Sequence, residues 1–167
     1  MKNLCSSLKM LMCTLLLGLS SFTVSADGSD GPLKSNMEVY SLNVNGEGKE
    51  EVKPADTVEP GGILEYKMMY TNQGNSELQG LVVTAPIPQS TTFLGGSQLT
   101  QVDSTFLASL DGELFEPEPI KRMRANAQGE MEEVTILPVE YRMIRWIPKR
   151  EIDASESMVF KYRVRVN

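Results

Sequence analysis

The 167-residue sequence contains no histidine. That absence removes Ser-His-Asp and Cys-His catalysis together with the commonest zinc ligand. Cysteine is nearly as scarce: Cys5 and Cys13 are the two present, and both fall within the first 26 residues. The chain beyond them has no disulfide and no thiol nucleophile, whatever the redox state of its compartment. No glycine-rich phosphate loop followed by lysine occurs, and the pair Gly95-Gly96, between Leu94 and Ser97-Gln98, reads as a turn. Carboxylate pairs are poorly placed for acid/base chemistry. Glu50-Glu51 and Glu132-Glu133 are adjacent and would point to opposite faces of a strand, while Glu116 and Glu118 lie among prolines. A non-enzymatic protein without a cofactor or metal is the expectation.

Long apolar runs are missing too, apart from one at the N-terminus. Met10 to Leu19 is uncharged and mostly apolar; Lys2 and Lys9 precede it, and a stretch ending Val24-Ser25-Ala26 follows. Positive charge, apolar core and small residues in that order form the secretory signal pattern. The run is about half of the roughly 20 residues that a membrane-spanning helix needs. Met12 before Cys13 is not small and the apolar run continues past it, so lipidation is not expected. Residues 1–26 are therefore expected to be a cleaved signal peptide, giving a periplasmic or secreted protein with no integral membrane segment.

Cleavage would remove two of the 16 basic residues, leaving 14 against 22 acidic ones. An acidic domain of this kind is a poor candidate for binding nucleic acid or an anionic membrane. Residues 27–35 (DGSDGPLKS) are small, polar and glycine-rich and read as a flexible leader. Residues 36–167 suit one domain.

Within that domain the dominant period is two. Met158, Phe160, Tyr162, Val164 and Val166 alternate with Val159, Lys161, Arg163 and Arg165. Such alternation predicts a strand with one face in a core and the other in water. Leu64, Tyr66, Met68 and Tyr70 repeat the pattern against Glu65 and Lys67. Tyr40-Leu42-Val44, Leu81 to Thr84 and Val139 to Ile147 predict further strands. Asn45-Gly46 and Asp111-Gly112 are dipeptides that supply positive φ in tight hairpins. Ala125 to Glu130 predicts another turn, and Pro86 and Pro88 predict a strand end or edge. Pro119 to Glu133 holds good helix formers, but Gly129 and the lack of an apolar stripe favour a strand pair. Short strands with frequent turns indicate an all-β, immunoglobulin-like antiparallel β-sandwich. Its expected core includes Tyr66, Tyr70, Trp146, Phe160 and Tyr162.

Several of these elements recur in a recognisable order. Val58-Glu-Pro-Gly-Gly-Ile-Leu-Glu-Tyr66 leads to Tyr70-Thr-Asn-Gln-Gly-Asn75, then Leu81-Val-Val-Thr84, Pro86-Ile-Pro88 and Thr91-Thr-Phe93. Arg145-Trp146, Asp153 to Ser157 and the strand Met158 to Val166 close the series. The series resembles the bacterial conserved-repeat domain of unknown function, an immunoglobulin-like cell-surface and envelope repeat. Its copies read approximately Pro-Gly-Asp, Thr-Asn-x-Gly, Val-Val-Thr and Pro-x-Gly-Thr-Thr-Phe. Here Gly62 stands where the family has an acidic residue, about 40 residues (Ser97 to Pro138) separate the Thr-Thr-Phe element from the tryptophan strand, and one copy is expected. The resemblance implies a bacterial envelope setting.

Two residue classes are potential recognition elements. Lys121, Arg122, Arg124, Arg142, Arg145, Lys149, Arg150, Lys161, Arg163 and Arg165 are candidates for a basic patch, but pairing with nearby glutamates is the simpler expectation. Of the methionines, Met37, Met68, Met69, Met123, Met131, Met143 and Met158, some are expected to fill core gaps. The expected function is an exported binding or structural module acting through contacts with an envelope protein. An accessory glycan-binding domain is the alternative, for which Tyr141 or Tyr40 would have to be exposed.

Overall fold

The computed structural model describes residues 31–167. The signal peptide expected over 1–26 and residues 27–30 of the leader lie outside the described residues. The leader is shorter than its composition suggests, because the first strand, β1 (Leu33–Val44), already begins at Leu33. Lys34 and Ser35 are exposed yet extended, held by main-chain pairing rather than by burial.

Twelve strands and one short 3-10 turn make up the described chain. After β1 come β2 (Glu50–Pro54), β3 (Ile63–Asn72), β4 (Val83–Pro86), β5 (Thr91–Phe93) and β6 (Leu99–Thr100). Then follow β7 (Ser104–Ser109), β8 (Glu116–Pro117), β9 (Lys121–Ala125) and β10 (Met131–Thr135). The turn at Pro138–Glu140 precedes β11 (Met143–Pro148) and β12 (Ser157–Val166). The larger sheet runs β2-β1-β3-β12-β5, with β6 also paired to β12. The smaller sheet runs β4-β11-β7-β8, while β9 and β10 form a separate hairpin. Every strand pair is antiparallel. The chain is an all-β sandwich.

The core lies between the two sheets. β12 contributes Met158, Phe160, Tyr162 and Val164, all buried, on the alternation its sequence predicts. Ile144 and Trp146 on β11, Val83 and Ala85 on β4, and Ala108 on β7 meet them from the smaller sheet. Trp146 sits at the junction, its ring centroid 5.4 Å from Phe106, 5.8 Å from Phe160 and 6.3 Å from Tyr162. Large aromatic groups at these separations contribute both buried area and edge-to-face attraction. Tyr66 and Tyr70, on β3, are only half-buried at the border of this core. Tyr66 stacks on Tyr162 at 4.9 Å and Tyr70 meets Phe160 edge-on at 6.1 Å.

Of the two turn dipeptides, Asp111-Gly112 supplies positive φ as expected, at Gly112 (88°), and Asn45-Gly46 does not. The β1–β2 loop does not place Asn45-Gly46 at positive φ; Gly48, at φ 77°, takes that conformation. Asn45 instead uses its side-chain oxygen to accept hydrogen bonds from the amides of Glu47 and Lys49, both 3.0 Å. The β9–β10 loop repeats the device. Asn126 accepts from Gln128 and Glu130, and Gly129 is at φ 85°. The segment Pro119 to Glu133 is thus a hairpin and not a helix. The Asp111-Gly112 turn does join paired strands, but Glu113 to Phe115 belong to the loop and the returning strand is β8.

Candidate interaction surface

Pairing registers place side chains on the outer face of the larger sheet. From β1 come Glu38, Tyr40, Leu42 and Val44; opposite them lie Pro54, Val52 and Glu50 of β2. From β3 come Ile63, Glu65 and Lys67, and from β12 Arg165, Arg163 and Lys161. Opposed residues share a face, so this surface carries a charged centre and, beside it, an apolar strip bordered by Glu50 and Arg165.

Glu65 anchors the charged centre. Alternation on β3 predicts a wetted carboxylate, yet Glu65 is only 4% exposed. Its two oxygens accept from Lys161 Nζ and Arg163 Nε, each at 3.0 Å. Arg163 also donates both terminal nitrogens to Glu50 at 3.0 Å, reaching the end of β2. Burial works against the charge of Glu65, but hydrogen bonds from Lys161 and Arg163, with their positive charges, outweigh it and hold the carboxyl below the usual carboxylate range. Next to this network Glu38 accepts from Lys67 at 3.0 Å and from the Tyr40 hydroxyl at 2.7 Å.

The apolar strip is built across three strands. Val52, Leu42 and Ile63 stand side by side on β2, β1 and β3, and Val44 lies one same-face position beyond Leu42. Val44 is 70% exposed and Val52 48%. A mostly polar depression of about 420 Å³ adjoins Leu42 and Ile63, its other lining including Ser41, Asn43, Thr57 and Glu59. No strand pairs with the outer edge of β2 among the described residues.

The basic residues are for the most part neutralised by carboxylates. Lys121 pairs with Glu133, Arg122 with Glu116, Arg124 with Glu140, Lys149 with Asp103 and Arg150 with Glu156. Arg145 lies 3.5 Å above the centre of the Phe115 ring and donates from Nε to Thr84. A concentrated basic patch therefore does not form from these residues. The methionines divide: Met68 and Met158 are buried, whereas Met37, Met123 and Met131 are 59%, 56% and 62% exposed. Core filling accounts for the first two but not for those three, which lie on the uncovered part of β1 and on the β9–β10 hairpin.

The two tyrosines considered for sugar stacking fare differently. Tyr141 is 2% exposed and stacks against Phe93 inside the core, so it offers no platform. Burial, then the neighbouring charge of Glu118 and a hydrogen bond with it, push its hydroxyl up to about 12. Tyr40 remains on the surface, half-buried.

Asn72 is a residue whose role the sequence does not reveal. Asparagine and glycine favour left-handed turn geometry, but neither Asn72 nor Gly74 has positive φ. Asn72 is instead fully buried. Its side-chain nitrogen donates to the carbonyls of Ser76 (2.7 Å), Ile152 (3.1 Å) and Asp153 (3.0 Å), and its oxygen accepts from the Gly74 amide at 2.9 Å. Pro86 and Pro88 follow expectation: β4 is an edge strand and Pro86 ends it.

Among the described residues no group of three or more acidic, histidine or cysteine side chains is arranged to hold a metal. No helix among them is long and apolar enough to cross a membrane. No family model matches the chain, nor does any curated protein or solved structure.

Proposed function

We propose that this protein is an exported, non-catalytic binding or structural module of the bacterial envelope that acts through protein–protein contacts. The observation that carries this reading is the apolar strip Val52–Leu42–Ile63 with Val44, open to solvent beside the free edge of β2. Apolar side chains aligned across three strands give a partner area to bury, and the neighbouring ion pairs supply a polar border. The unpaired edge of β2 offers main-chain donors and acceptors to an extended partner segment. The signal pattern over residues 1–26 and the resemblance to envelope repeats support an exported, envelope setting.

A photo-crosslinker at Val52 tests the reading in the native host. The expected result is a discrete protein adduct in the envelope fraction that disappears when Val44→Asp is added, while the same group at Asp56 gives none. A protein found only in the cytosol, or a Val52 probe that captures nothing, would sink the proposal. Sugar binding by the purified protein that is lost in Tyr40→Ala would replace it with the glycan-binding alternative.

A further inference from the structure

The first and last strands of the described domain flank the same central strand. β1 and β12 both pair with β3, one on each side, and both run antiparallel to it. They are therefore parallel to each other. Leu33, at the start of β1, lies opposite Asn72 at one end of β3. Arg165, near the end of β12, lies opposite Ile63 at the other end. The chain enters at one end of the sandwich and leaves at the opposite end, about 30 Å away along a ten-residue strand.

The consequence follows from the direction of the hydrogen bonds. In an antiparallel pair they lie perpendicular to the strands. Pulling the two ends apart drags β1 toward the Asn72 end and β12 toward the Ile63 end, with β3 held between them. Each ladder is then sheared along its length, so its bonds share the force and must fail together. Opening from one end would instead break them in succession. The bonds beyond the strand limits extend both ladders: Gln73 donates to Pro32 at 2.6 Å, Asn72 to Glu156 at 2.9 Å and Val166 to Gly62 at 2.9 Å. The ion pairs of the outer face cross the same seams. Glu65 on β3 is tied to Lys161 and Arg163 on β12, and Lys67 on β3 to Glu38 on β1.

We infer that the domain resists tension applied between its two ends, with β3 transmitting force between β1 and β12 through two sheared ladders in series. The β1–β3 ladder is the weaker of the two. Met158, Phe160, Tyr162 and Val164 on the core face of β12 are fully buried, whereas Ser35 and Met37 on the corresponding face of β1 are exposed. Rupture under load begins with β1 sliding off β3.

Single-molecule pulling on the full chain, with handles at its two termini, tests this against a peeling geometry. For the second geometry Asn75→Cys carries one handle, in a chain with Cys5→Ser and Cys13→Ser, and the N-terminus carries the other. Both attachment points then lie at the same end of the β1–β3 ladder, and the bonds open one by one. Glu77→Cys, also exposed at that end, serves if the first substitution prevents folding. At equal pulling speed the end-to-end unfolding force is expected to exceed the peeling force by about two-fold or more, because the bonds are loaded together. A first extension step in the end-to-end geometry matching release of β1 identifies the weaker ladder. Equal forces in the two geometries, or a lower force end to end, would overturn the inference.

Discussion

The hydroxyl of Tyr162, on the larger sheet, donates a 2.9 Å hydrogen bond to the main-chain carbonyl of Pro86, on the smaller one. This bond joins the two layers at a position where β4 ends. Tyr162→Phe keeps the ring and its stacking on Tyr66 but leaves the carbonyl without this donor. The expected loss is about 1–2 kcal/mol. In urea titrations the midpoint should fall while the slope stays constant, since the exposed area on unfolding is unchanged.

The same burial makes the fold sensitive to alkali. Burial raises the hydroxyl of Tyr162, with a further contribution from Tyr66, and pushes that of Tyr141 up to about 12 from an ordinary 10.0. Above pH 10 an unfolded chain ionises these phenols and the folded one does not. Stability is therefore fully present below about pH 10 and declines as pH rises through 12. Midpoints measured from pH 8 to 12 should stay level and then drop, and Tyr141→Phe should reduce the drop.

Acid acts through the carboxylates with the opposite sign. The hydrogen bond from Arg150, reinforced by the Asp153 amide, lowers Glu156 to about 2 from 4.5, and Glu65 is lowered as well. Their contribution is present above pH 4.5 and is lost as pH falls toward 2. A stability profile over that range should fall steadily, and Glu156→Gln should flatten it. A flat profile for the unmodified protein would contradict the pairing of these groups.

Asn72→Ala removes a donor shared by three carbonyls and the acceptor of one amide. With the site fully buried, the expected destabilisation is about 2–4 kcal/mol. Amide exchange at Gly74 should accelerate more than exchange at residues of β11, because the lost contacts lie at the β3 turn.

Trp146→Ala should cost about 3–5 kcal/mol, as expected for truncating a large buried ring. Tryptophan emission of the native protein should be blue-shifted and move to the red in urea. Emission at the wavelength of free indole in native buffer would contradict its burial.

How much of this was legible in the sequence depended on where the neighbours came from. β12 was readable because its alternation and its burial agree: a strand wet on one side and packed on the other states its own environment. Trp146 was readable for the same local reason. Glu65 was not. On β3 it alternates like a surface residue, and what covers it is Arg163, 98 positions later. The burial of Tyr141 was not legible, because it follows a 3-10 turn rather than lying on the expected strand, so no period indicated its direction. Asp111-Gly112 gave both its loop and the positive φ of Gly112, whereas Asn45-Gly46 gave only its loop, since Asn45 bonds to the backbone and leaves the unusual φ to Gly48. The outer apolar strip was visible only as a strand, because an alternation cannot say which of its two faces meets the second sheet.

The late position of β12 in the chain has a consequence for synthesis. Met158, Phe160, Tyr162 and Val164 supply the middle of the larger sheet's inner face, and their partners on β3 precede them by roughly 90 residues. A polypeptide emerging from the ribosome N-terminus first can close its local hairpins, but it has nothing to seal the interior until residue 157 and beyond are available. Until then Tyr66, Met68, Phe93 and Trp146 are uncovered and the nascent molecule is both threadable and sticky. Its partly made forms are accordingly the species most in need of a chaperone.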